Sequence, residues 1–152
     1  MLQAYCDASY ARDEDRRRST TGYAFFIGGA AVSWSSKRQP TVGTSSSDAK
    51  YMAANFAGCE AMWLRQLLTE LGYHIPIYCD SQPAIAVSKN PEHHSRMKHI
   101  DVMYHWLREK VEKGLLKLQF VPTDDMVADV LTKGLVRMKH EKCRTGLGIC
   151  RS

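Results

Sequence analysis

The hydrophobic and polar positions of the chain change period several times, and each change predicts an element. Residues 2–9, LQAYCDAS, alternate loosely as a strand does and bring the carboxylate of Asp7 to its end. After the charged turn RDEDRRRSTTG, YAFFIGG reads as a second strand, Gly28–Gly29 as a hairpin turn and AAVSWSS as the returning strand. Apolar residues then recur at helical spacing through Met52, Phe56, Trp63, Leu64, Leu67 and Leu71, predicting a helix that opens at Ser47–Asp48 and runs to Gly72. HIPIYCD is a short strand ending at Asp80, and QPAIAVSKN a short helix. The polar loop PEHHSRMKH leads into an amphipathic helix from about Ile100 to Lys113, stopped by Gly114. LLKLQFVP is the last strand and DDMVADVLTKGL a final helix. One domain is expected over residues 1–135, followed by a basic tail, 136–152, that should be poorly ordered.

Strands joined first by hairpins and later by helices predict an α/β fold. It should be a five-stranded mixed sheet, an antiparallel meander plus parallel strands, flanked by helices. The three tryptophans, Trp34, Trp63 and Trp106, are expected in core packing rather than on base-stacking surfaces.

Composition narrows this picture only a little. A chain of 152 residues can close a real hydrophobic core, and 44% hydrophobic with 24% charged residues is ordinary for a globular protein. No apolar run approaches the length needed to cross a bilayer, and the N-terminus does not resemble a secretory signal. The five cysteines are odd in number and contain no C-x-x-C pair, which favours neither a disulfide framework nor a zinc site. Cys6 and Cys79 fall in apolar strand patterns and read as buried small hydrophobes. These features fit an intracellular protein, cytoplasmic or nuclear, and a monomer. The net charge of +5 is clustered at Arg16–Arg18, Lys37–Arg38, Arg96–His99 and, towards the end, Lys133, Arg137, Lys139, Lys142 and Arg144. That pattern suits either a polyanionic partner or a solvated surface.

Acidic residues carry the chemistry. Asp7 closes the first strand, Asp80 closes the fourth, and Asp129 lies in the last helical segment. Strand ends of such a sheet line a common edge, so Asp7 and Asp80 should be neighbours if their strands pair. Like charges that close repel unless a cation joins them, and oxygen ligands suit Mg²⁺ or Mn²⁺. The expected metal ligands are therefore Asp7, Asp80 and Asp129.

The blocks YCDASYARDEDRRRSTTGYAFFIGGAAVSWSSKRQPTV, SSSDAKYMA, EAMWLRQLL, IYCDSQPAIAVSKNPEHHSRMKHIDVMYHWLREKV and VPTDDMVADVLTKGL follow in order from about Tyr5 to Leu135. Together they closely resemble the ribonuclease H domain of copia-type LTR retrotransposons, the C-terminal domain of their Pol polyprotein. The resemblance implies the ribonuclease H-like fold. It also implies a two-metal hydrolase that cuts the RNA strand of RNA–DNA hybrids endonucleolytically. By motif, three of the family's four catalytic acids fall on Asp7 in YCDAS, Asp80 in YCDSQ and Asp129 in VADVLTK. The second acid, a glutamate in the family, falls on Lys50 in KYMA. The histidine that many cellular ribonucleases H carry before the last aspartate has no match, as is usual in copia-type domains.

Lys50 leaves two readings open. Its ammonium could reach among Asp7, Asp80 and Asp129 as a built-in cation, keeping the fold and removing the two-metal geometry. Or it could extend to solvent and leave the site short of a ligand. Asp48 is a candidate substitute acid, but two residues along a helix is about 200° of rotation, which sends it to nearly the opposite face. With Ser47 as N-cap, Lys50 would hold the N3 place of a capping box that a lysine cannot complete. For nucleic acid, the candidates are Arg16, Arg17 and Arg18, the hydroxyls of Ser45, Ser46 and Ser47, and Arg96, Lys98 and His99. His93, His94 and His99 also invite a transition-metal reading, which the resemblance makes unnecessary. Two functions are thus expected: a ribonuclease H weakened or silenced by Lys50, or an inactive module of the same fold that binds nucleic acid or a protein.

Overall fold

The computed structural model of the chain describes residues 2–11, 17–68, 75–90 and 98–149, with the backbone alone for 98–101. Five strands, β1 (Leu2–Ser9), β2 (Thr20–Ile27), β3 (Ala30–Arg38), β4 (Ile75–Cys79) and β5 (Leu116–Phe120), form one mixed sheet in the order β3-β2-β1-β4-β5. The first three are the antiparallel meander expected from the hairpin signals, and Gly28 and Gly29 turn it with φ of 60° and 85°. β4 and β5 join in parallel. Four helices accompany the sheet: α1 (Ser46–Leu67), α2 (Gln82–Lys89), α3 (Lys98–Glu112) and α4 (Arg137–Gly146).

One face of the sheet is closed by α1. Ala54, Ala57 and Ala61 let its backbone lie close to Cys6, Phe25, Ile77 and Cys79, so both strand cysteines are buried in this core. α3 is locked to α1 by its side chains. The Tyr51 and Tyr104 rings stack at 4.1 Å, the Tyr51 hydroxyl donates to the Tyr104 carbonyl at 3.0 Å, and Asn55 donates to that of Met103 at 2.9 Å.

The opposite face is closed by the end of the chain, and here the structure departs from expectation. The segment read as a final helix is two short 3₁₀ helices, Thr123–Asp125 and Val127–Leu131. The basic tail is not loose: it forms α4, and Cys143 and Leu147 are buried. Leu147 packs with Ala24 and Phe26 of β2, and the Cys143 thiol donates to the Met126 carbonyl at 3.6 Å. Two glycines allow this closure. A Cβ at Gly22 would stand 2.7 Å from Thr132 and 2.8 Å from Leu131, and one at Gly146 would stand 2.6 Å from Val127.

Smaller differences concern helix ends and aromatics. α1 starts at Ser46, with Ser45 as N-cap, and ends at Leu67; residues 69–74 lie outside the described residues. Trp34 on edge strand β3 is 65% exposed and Trp63 on α1 is 55% exposed, so neither is a core residue, whereas Trp106 packs against the core. Helical spacing placed Trp63 on the apolar stripe of α1, but that end of the helix has nothing described above it. No helix among the described residues is long and apolar enough to cross a membrane.

Replacing Gly22 by alanine forces a methyl into the seam between β2 and the second 3₁₀ helix. It is expected to cost about 1–3 kcal/mol in urea unfolding. Gly134→Ala, where a Cβ meets nothing within 4 Å, should stay within about 0.5 kcal/mol of the parent.

Candidate active site

The β1–β4 register pairs Cys6 with Cys79, so the next residues, Asp7 and Asp80, emerge together at one edge of the sheet. Asp129, from the second 3₁₀ helix, reaches the same point because that helix packs against β1 and β2 through Gly22. A carboxylate oxygen from each of the three lies within 4.8 Å of the others, and the side chains are at most 1% exposed. Two unit charges at that distance repel by about 3–4 kcal/mol even at an effective dielectric constant of 20. Something positive has to be there.

Three lysines from three elements supply it. Lys50, in the second turn of α1, donates to Asp80 Oδ1 and lies 3.2 Å from Asp7 Oδ1. Lys133 sits 2.8 Å from Asp129 Oδ1 and 3.5 Å from Asp7 Oδ2. Lys139 of α4 sits 2.8 Å from Asp129 Oδ2 and also donates to the Thr123 carbonyl. Two hydroxyls complete the arrangement: Thr132 donates to Asp7 Oδ2 at 2.6 Å and Thr123 to Asp80 Oδ2 at 3.1 Å.

Electrostatics follow this geometry. Burial pushes Asp7 up, but the Thr132 hydroxyl with Lys50 and Lys133 outweighs it and holds the carboxyl below its usual value. Burial pulls the Lys50 ammonium down, and Asp80 and Asp7 outweigh it, so the proton is held more tightly than usual. For Asp129 burial wins: with Asp7 adding to it, it overcomes Lys133 and Lys139 and raises the carboxyl.

As a metal centre, the set fits in part. Three buried carboxylates converge as hard-cation ligands do, and Asp7 Oδ1 and Asp129 Oδ1 are buried without an aligned hydrogen bond. Beside them stands Lys50, a cation rather than a further acid. Asp48 does not supply that acid. It occupies the N3 place after the N-cap Ser45, with its amide donating to Ser45 Oγ at 3.1 Å. Its carboxylate accepts from Thr44 and, at 2.7 Å, from the Tyr104 hydroxyl, and these bonds keep it low despite burial. Ser47 is therefore not the cap, and Lys50 lies two residues beyond the capped N3 position. Any of the three serines can cap; the contacts of Asp48 with Thr44 and Tyr104 select Ser45.

The candidate nucleic-acid residues are spread more widely. Arg17 and Arg18 precede β2, Ser46 and Ser47 fill the first turn of α1, and the Ser45 hydroxyl is spent on the cap. Arg16 and Arg96 lie outside the described residues, as does most of the histidine loop, and for Lys98 and His99 the backbone alone places them at the start of α3. Sequence reasoning missed Thr123, Thr132, Lys133 and Lys139 as parts of the site. Lys133 carried a signal, standing four residues after Asp129; Lys139 carried none without α4.

Asp7, with a depressed value, adds stability above the unfolded carboxylate pKa of about 3.9, and this is lost as pH falls through its folded value. Asp129, raised, costs stability as pH climbs from that unfolded value to its own. Removing the ammonium with Lys50→Gln should move the Asp7 titration upward, read by carboxyl ¹³C NMR. An unmoved Asp7 would mean that Lys50 does not hold it.

No family model matches the chain. The retrovirus-related Pol polyprotein from transposon TNT 1-94 of Nicotiana tabacum is 47% identical over 98% of the chain, and that from transposon RE1 of Arabidopsis thaliana 42% over 99%. The chain spans only 11% and 10% of the length of these relatives. Among solved structures, LC11-RNase H1 isolated from compost matches with a TM-score of 0.62 at 15% identity, covering 96% of this chain and 97% of that one. The same enzyme in complex with an RNA/DNA hybrid matches with a TM-score of 0.62 at 12% identity, over 87% and 94%. The chain belongs with the copia-type, retrovirus-related Pol polyproteins of transposons, and its fold is that of ribonuclease H.

Proposed function

We propose that this domain binds RNA–DNA hybrids through the ribonuclease H fold, and that its divalent-metal-dependent cleavage of the RNA strand is weakened or silenced by Lys50. The observation that carries the proposal is the Lys50 ammonium lying between Asp7 and Asp80. Hybrid binding is supported by the relationship to transposon Pol polyproteins and by the fold shared with an enzyme crystallised on an RNA/DNA hybrid.

Asp7, Asp80 and Asp129 are the residues that would hold Mg²⁺ or Mn²⁺. In two-metal hydrolysis the ions activate the attacking water and stabilise the leaving oxygen. The remaining roles belong to the chain's own groups. Thr132 fixes Asp7 and Thr123 fixes Asp80, so two carboxylates are aimed before any ligand arrives. Lys50 adds a positive charge where the family has a negative one, which removes a ligand and repels a second cation. Among the described side chains no histidine contacts the cluster. Arg17, Arg18, Ser46 and Ser47 are assigned to the phosphate backbone, with recognition by duplex shape and 2′-hydroxyls rather than by sequence.

The test is cleavage of a labelled hybrid in Mg²⁺ and in Mn²⁺ by the chain and by Lys50→Glu. The variant is expected to cut about 100-fold faster or more, the scale at which single charge-stabilising groups act in active sites. Both should bind the hybrid in EDTA, with affinity falling as salt rises. Cleavage by the unaltered chain at the rate of Lys50→Glu would contradict the role given to Lys50.

A further inference from the structure

The cluster is neutralised from two sides, and the second side is the C-terminal helix. Lys50 serves Asp7 and Asp80, whereas Asp129 is served by Lys133 and, from α4, by Lys139. Lys139 is the third residue of α4, a place where a cation opposes the helix dipole and an acid is normally preferred. The first turn of α4 has no acidic residue, and its N-cap, Val136, makes no side-chain capping bond. A helix of ten residues with such a start is a weak helix by itself. It is kept in place by what it touches: Asp129 and Thr123 through Lys139, Asp125 through Lys142 at 2.7 Å, Met126 through Cys143, and the apolar cluster under Leu147. Of these contacts, the Lys139–Asp129 pair alone uses a carboxylate of the cluster.

Resting on the reading of the cluster as a divalent-cation site, we infer that α4 is a displaceable cover whose Lys139 occupies the cation position beside Asp129. A divalent cation taking Asp129 has to displace that ammonium, so metal binding and docking of α4 compete. Lys133 belongs to the segment that carries Asp129 and remains beside it; Lys139 leaves with its helix. The inference extends the inhibition attributed to Lys50 to a second, movable cation on a different element.

The test reads Mn²⁺ affinity by electron paramagnetic resonance of the free ion, with Lys50 left in place. Lys139→Met should bind Mn²⁺ at least tenfold more tightly than the unaltered chain. Lys113→Met, which removes a surface lysine paired with Glu109 of α3 and touching neither α4 nor the cluster, should stay within twofold. Equal affinity of Lys139→Met and the parent, or an equal gain in Lys113→Met, would overturn the inference. A second measurement needs no change in α4: hydrogen exchange of Lys50→Glu with and without saturating Mn²⁺. Faster exchange of the α4 amides with metal bound is expected, and unchanged α4 protection would overturn the inference. Because Mn²⁺ affinity is read with Lys50 in place, failure here is separate from failure of Lys50→Glu to cut hybrid.

Discussion

Three carboxylates buried within 4.8 Å of one another at a sheet edge are the constraint around which this end of the molecule is arranged. None can be moved outward without undoing the fold. Asp7 and Asp80 are fixed by the Cys6–Cys79 register of adjacent parallel strands, and Asp129 by a 3₁₀ turn pressed into the space left by Gly22. Their mutual repulsion has to be answered from inside the protein or by a bound ion. Lys50, Lys133 and Lys139 answer it from inside, Lys50 between Asp7 and Asp80 and the other two beside Asp129. Such pairs contribute little net stability when desolvation is counted, but breaking one leaves a buried charge exposed to its neighbours.

The cluster is held by groups from distant parts of the chain. The two threonine hydroxyls, the strand register and the converging aspartates fix three negative charges at one point. Lys50 balances part of that charge from within the protein. Part of the same balance is supplied by α4, which ties the end of the chain to the site.

Much of this was legible in the sequence because it is local. Period-two alternation and the Gly28–Gly29 turn gave the meander, and Asp7 and Asp80 could be expected side by side if their strands paired, as β1 and β4 do, although β1 runs past Asp7 to Ser9. For Lys50 the sequence left two readings, a built-in cation or a side chain extended to solvent, and the contacts with Asp7 and Asp80 match the first. What stayed hidden depends on long-range packing. Ser45, Ser46 and Ser47 are equivalent caps until Tyr104, from a distant helix, takes the Asp48 carboxylate. The run from Asp124 to Leu131 has helical composition, but packing on β2 shortens it to two 3₁₀ turns. Lys139 could not be assigned while the tail was read as loose, because its partner lies ten residues earlier across a packed interface.

The central claim is that lysines, rather than a divalent ion, balance the aspartates of this chain. The most direct measurement is the melting temperature of the unaltered protein in EDTA and in ten-millimolar-range Mg²⁺ and Mn²⁺. A ligand bound by the native state alone at a hundred times its dissociation constant would add about 2.7 kcal/mol, a shift of several degrees for a domain of this size. The account predicts no metal-dependent rise. A rise of several degrees with either ion would show that the aspartates hold metal despite Lys50, and would contradict it.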